Sequence, residues 1–207
     1  MLSKSDRRML VLLAAGGLAL ALALGCAPAP ERTPTPSAVT PLGEPKLGGT
    51  LVWAFNQEPT TYDVLLNRGV PNMEVANLVY DRLLRWKRGP DVGYAEFVPV
   101  PMLAERWEQP DDVTYMFHLR KGVKWQNLPP LNGRELTAED VAYSLEKIRT
   151  DKGALFRDNL ASVDKIEAVD KYTLKVTNKY PFGGTINYIA SVGTFVFPRE
   201  LLDAKDG

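Results

Sequence analysis

Residues 113–125, VTYMFHLRKGVKW, and residues 136–149, LTAEDVAYSLEKIR, decide the fold. In the first, Tyr115, Phe117 and Leu119 alternate with Thr114, Met116 and His118. A period of two predicts a strand with one strongly apolar face. In the second, Thr137 precedes a helical pattern and Asp140 stands three residues on, the spacing of a capping box. Val141, Leu145 and Ile148 then recur at helical spacing and mark the face to be buried. Residues 163–178, VDKIEAVDKYTLKVTN, predict two short strands joined at Asp170-Lys171, with Ile166, Leu174 and Val176 inward. The class is α+β.

Outward from this centre the signals weaken. Residues 46–56, KLGGTLVWAFN, predict an opening strand in which Leu51, Trp53 and Phe55 alternate with Val52 and Ala54. A long loop follows, broken by Pro59 and carrying Asn56, Gln57, Glu58 and Asp63. Residues 71–86, PNMEVANLVYDRLLRW, read as a helix opened by Pro71, with Val75, Leu78, Val79 and Leu83 on one stripe. Residues 194–204, TFVFPRELLDA, read as a strand followed by a helix starting at Pro198. Trp53, Trp86, Trp107 and Trp125 are expected in packing.

Charge and residue counts exclude several chemistries. Lys plus Arg equals Asp plus Glu at 25 each, with no block of one sign, which argues against a basic face for nucleic acid. The single cysteine, Cys26, excludes an internal disulfide, and with the single histidine, His118, it speaks against a Cys/His zinc site. No metal and no cofactor are therefore expected. His118 lies mid-strand opposite Tyr115 and Phe117, the place of a surface or satisfied histidine. Glu139-Asp140 is the tempting carboxylate pair, but neighbours on a helix point about 100° apart and Asp140 is explained as a cap. Nucleophile–base dyads have little to draw on, so no catalytic residue is assigned. Asn132-Gly133 reads as a turn and nothing more.

The N-terminus reads as an address. MLSKSDRR is basic, and Met9 to Leu24 is apolar throughout, slightly short of the roughly 20 residues a spanning helix needs. Ala23-Leu24-Gly25 then precedes Cys26, an arrangement that resembles a bacterial lipoprotein signal and implies lipid attachment at Cys26. An ordinary secretory signal with an incidental cysteine, or an uncleaved anchor, are the alternatives. Beyond it, Pro28, Pro30, Pro34, Pro36, Pro41 and Pro45 predict an extended tether with too little apolar content to fold.

Three blocks, in this order, resemble the extracellular solute-binding proteins of ABC importers, in the family serving oligopeptides, dipeptides and nickel. They are GGTLVWAFNQEPTTYDV, the stretch from PMLAERWEQ through GVKW to LTAEDVAYSLEKI, and VDKIEAVDKYTLKVTNKYPF. Tyr62 stands where the family has Leu, Val64 where it has Pro, and QNLPPLNGRE replaces a short Asp-Gly turn. The resemblance implies a two-lobed, type II periplasmic-binding-protein-like fold. It divides the chain into a signal (1–25), a tether (26–45), the start of lobe I (46–72), a family-specific subdomain (73–184) and a return into lobe I (185–207), with lobe II absent. It implies a ligand-facing segment at Arg68, Gly69 and Val70, with Asn56 and Glu58 nearby. Gly69 and Val70 would pair with an extended ligand, and Arg68 would face a carboxylate. The implied partners are a peptide or other small solute, an ABC permease, and the membrane through the lipid. The implied location is outside the cytoplasmic membrane. A secreted lipid-anchored enzyme and a non-transport interaction lipoprotein are the competing readings.

Overall fold

The computed structural model describes residues 48–203 apart from 51, 55, 56, 60 and 67. A compact unit begins at Trp53. Its elements are α1 (Val70–Val79), β1 (Leu84–Trp86), β2 (Pro99–Pro101), β3 (Ala104–Asp111), β4 (Thr114–Leu119), α2 (Ala138–Thr150), a 3-10 turn (Arg157–Leu160), β5 (Val163–Asp170), β6 (Thr173–Asn178), α3 (Thr185–Ala190) and α4 (Arg199–Asp203).

β3, β4, β6 and β5 form, in that order, an antiparallel sheet. Its two hairpin turns are made by aspartates. The Asp111 carboxylate accepts the N–H groups of Val113 and Thr114 at 2.9 and 2.8 Å, and that of Asp170 accepts the Tyr172 N–H at 2.7 Å. Pro110, which cannot donate to a ladder, lies on edge strand β3. Register places Trp107 and Leu174 on either side of Phe117, and Tyr115 opposite Val176. The alternation expected at Tyr115, Phe117 and Leu119 becomes one buried face, which α2 covers with Val141, Leu145 and Ile148. Each of these side chains, fully buried, contributes about 1.5–3 kcal/mol.

α2 starts where the capping box placed it. Asp140 accepts the Thr137 N–H at 2.9 Å while its own N–H reaches the Thr137 carbonyl at 3.1 Å. The flank of the same buried face of α2 anchors the chain's return. The buried Ser144 hydroxyl accepts the Phe197 N–H at 3.0 Å, and the Val196 N–H donates to the Asp81 carbonyl at 2.8 Å. Residues 194–197 are buried in an extended connection that joins no ladder, so the strand expected there is absent.

Two further expectations need correction. Val52, Trp53 and Ala54 join no strand, and Trp53 is 65% exposed, because no neighbouring segment among the described residues pairs with them. α1 buries Pro71, Asn72, Met73 and Ala76, whereas Leu78 and Val79 are exposed. The helix stops at Tyr80, whose backbone is extended (φ −115°, ψ 141°), so Leu83 reaches the core from a non-helical segment. Among the described residues no helix is long and apolar enough to cross a membrane.

Candidate functional site

Arg68, Gly69 and Val70 form the entry to α1. Gly69 is the N-cap residue, and its carbonyl accepts the Met73 N–H at 3.0 Å. That oxygen is committed to the helix. The Val70 N–H belongs instead to the first turn, where an α-helix offers no acceptor of its own, and Val70 is 68% exposed. The loop before it is fixed from three sides. Asp63 accepts the Leu65 N–H at 2.9 Å, the buried Asn72 amide donates to the Thr61 carbonyl, and the Leu155 N–H donates to the Leu65 carbonyl at 2.8 Å. Asp63 is thus a turn-forming carboxylate.

The last of these bonds carries the geometry. It holds residues 154–156, just after α2, against the loop, and the Arg68 guanidinium lies 5.1 Å from the centroid of the Phe156 ring. Cation and ring attract through the quadrupole of the aromatic face. Phe156 is fixed from below by Gly193, whose φ is +97° and whose missing Cβ would stand 2.1 Å from the ring's Cγ. Only glycine lets the backbone approach that closely. Arg68, Val70 and Phe156 therefore make one surface from segments far apart in sequence. Glu58 is exposed, and no hydrogen bond or ion pair joins it to Arg68. Asn56 and Cys26 lie outside the described residues.

Sequence reasoning passed over a second constellation. Arg134, next to the Asn132-Gly133 turn, donates to Asp140 at 2.8 and 2.9 Å and to Glu200 at 2.6 and 2.9 Å. Trp125 lies under the same guanidinium at 5.8 Å and its indole N–H points at Asp140. Burial pushes the Asp140 carboxyl up, but the Arg134 bonds, the Thr137 N–H and the arginine's charge outweigh it and leave it below the usual range. The hydrogen bonds Arg134 donates to Asp140 and Glu200 raise its guanidinium further. A cap, a loop and α4 are thereby tied together, so LNGRE carries more than a turn. The signal was an arginine six residues before a capping aspartate, which no local pattern marks.

His118 is held by Glu108 at 3.0 Å on the outer sheet face, and Glu139 points away from the buried Asp140. Among the described residues no group of three or more His, Cys, Asp or Glu side chains gathers as metal ligands do. This surface has the makings of recognition, namely a cation on a ring beside a helix N-terminus.

Residues 98–206 match the family model for bacterial extracellular solute-binding proteins, family 5, middle region. The chain belongs to that family. The dipeptide-binding protein of Escherichia coli (strain K12) is 36% identical over 101 residues, which are 47% of this chain and 18% of that protein. Di/tripeptide-binding protein 3 of Pseudomonas aeruginosa (strain UCBPP-PA14) is 28% identical over 185 residues, 79% of this chain and 33% of that one. Among solved structures, AgaA from A. tumefacien R10, in complex with agropinic acid, aligns with a TM-score of 0.59 and 32% identity over 72% of this chain and 28% of its own. OppA of Haemophilus influenzae, in complex with RPPGFSPFR, aligns at 0.58 and 25% over 71% and 30%. The chain spans between 18% and 33% of these two curated relatives. The fold is part of the first lobe of a periplasmic binding protein, and the family is one of extracellular solute-binding proteins.

Proposed function

We propose that this chain is the substrate-binding component of an ABC-type importer, capturing an oligopeptide or dipeptide outside the cytoplasmic membrane. The observation that carries the reading is the Arg68 guanidinium held over Phe156 beside the exposed first turn of α1. An extended peptide laid across this surface meets the Val70 N–H as a backbone donor and Arg68 as the partner for a carboxylate. The Gly69 carbonyl already serves the helix, so the reading rests on the Val70 N–H as the backbone donor. Names of relatives that bind dipeptides or di/tripeptides support peptide as the ligand class. The surface of Arg68, Val70 and Phe156 serves as one wall of the peptide cleft in this reading.

Cys26 is the attachment point for lipid, and the proline-rich stretch to residue 45 spaces the receptor from the membrane. The permease is the partner that receives the ligand. Radiolabelled palmitate tests the anchor: incorporation into the wild type and none into Cys26→Ala is expected, and an unlabelled wild type would refute it. For the ligand, isothermal titration of a trialanine peptide into the full chain and into Arg68→Ala is the direct test. Binding weakened by about threefold to tenfold is expected from one exposed charge-assisted contact. Equal affinity of both proteins would remove Arg68 from the site.

A further inference from the structure

Beside the peptide-facing wall, and sharing Phe156 with it, lies a groove of about 410 Å³ lined also by Trp86, Phe97, Asn159, Asn187, Tyr188, Ser191 and Val192. Half of that lining is aromatic. Trp86 and Phe97 meet edge to face with centroids 4.9 Å apart, and Phe97 and Tyr188 are about half exposed. Phe182 stacks behind Tyr188 at 6.0 Å, so the wall is braced rather than loose. None of the lining residues is charged, yet two cations overlook the groove. Arg88 lies 5.9 Å from the Trp86 ring and Arg68 5.1 Å from Phe156. The nearby carboxylate of Asp91 is paired with Lys87. Two guanidiniums therefore stand against rings that line an apolar slot, while Glu96 and Asp158 neighbour Phe97 and Asn159 along the chain.

We propose that this groove binds the aromatic side chain of a small carboxylate-bearing molecule. The ring fills the slot between Trp86, Phe97 and Tyr188, and the carboxylate sits at the rim in the field of Arg88 and Arg68. Volume, ring-lined walls and cationic rim together select that chemistry: an aromatic cation meets two guanidiniums, and a sugar meets walls with few polar groups. The groove shares Phe156 and the field of Arg68 with the peptide-facing wall, but Trp86, Phe97 and Tyr188 lie outside that wall, so a ring-bearing probe tests the groove apart from trialanine.

The probe is N-acetyl-L-phenylalanine, titrated into the full chain while tryptophan emission is followed. Saturable change is expected, with N-acetyl-L-alanine at least about tenfold weaker, since the slot rewards buried ring area. N-acetyl-L-phenylalanine amide, which keeps the ring and loses the charge, is also expected to bind at least about threefold more weakly. Trp86→Phe should remove most of the emission change. Val192→Trp, which fills the groove from a residue outside the peptide-facing wall, should abolish binding while the far-ultraviolet circular dichroism stays that of the wild type. Equal affinity for the alanine and phenylalanine compounds would overturn the proposal, as would equal affinity for the acid and its amide. Self-association of the chain that buries this groove, with no effect of the probe, would overturn it too. Loss of trialanine binding in the tests above leaves these outcomes unchanged.

Discussion

Replacing Gly193 by alanine probes how the candidate site is held together. At φ +97° an L-residue is strained, at a cost of about 1–3 kcal/mol. The added Cβ would stand 2.1, 2.4 and 2.5 Å from Cγ, Cδ1 and Cδ2 of Phe156. Those are ring atoms at the branch point of a braced side chain, so the ring itself must leave. Overpacking of this kind costs about 1–3 kcal/mol, and the displaced ring forfeits its contact with Arg68, worth about 0.5–1 kcal/mol at an exposed position. Gly193→Ala should therefore destabilise the fold by about 2.5–7 kcal/mol. Removing the ring first relieves the clash but leaves the backbone strain. Gly193→Ala combined with Phe156→Ala should then cost less than the two separate losses together, by about 1–3 kcal/mol. Urea unfolding of the four proteins of this cycle, read by circular dichroism, measures that coupling. Additivity to within about 0.5 kcal/mol, or a Gly193→Ala protein as stable as the wild type, would refute the contact as the reason for glycine here.

Other tests address the clamp and the core. Arg134→Gln should cost about 1–3 kcal/mol, below the loss for a fully buried pair because the arginine is one-third exposed. The same substitution should move acid unfolding to higher pH. Asp140 and Glu200 are depressed in the folded state, so between their folded and unfolded values the unfolded chain binds more protons. Their stabilisation is complete above the ordinary carboxylate range and is lost as pH falls through the folded values. Without Arg134 those values rise, and an unchanged acid midpoint would contradict the clamp. Leu145→Ala, at 1% exposure against the sheet, should cost about 2–5 kcal/mol in urea unfolding, and a loss below about 1 kcal/mol would mean α2 does not seal the sheet.

The parts legible in the sequence are those whose partners lie close along the chain. The β4 alternation and the α2 capping box are local patterns, and the β5–β6 hairpin turn is built from Asp170 itself. α1 misled because its helical run ends at Val79 and its buried side faces residues 193–197, far down the sequence. The apolar Leu78 and Val79 then fall on the open side. Of the site, the segment at Arg68 rests on family resemblance, and Phe156, which follows the long helix, is a cleft candidate the sequence gives no ground to assign, since nothing local couples residue 68 to residue 156. The Leu65–Leu155 hydrogen bond and the approach of Gly193 are tertiary facts. The Arg134 clamp was hidden for the same reason, because Glu200 reaches it across 66 positions.

The most direct test of the central claim is residue-resolved. An isotope-labelled full chain is titrated with trialanine and followed by amide and aromatic NMR. Shifts concentrated at Arg68, Gly69, Val70 and Phe156, saturating with a Kd near the millimolar range or about −4 kcal/mol, are the expected result for one wall of a peptide cleft. Shifts confined to the outer sheet face around Met116 and Lys175, or none at saturating peptide, would contradict it.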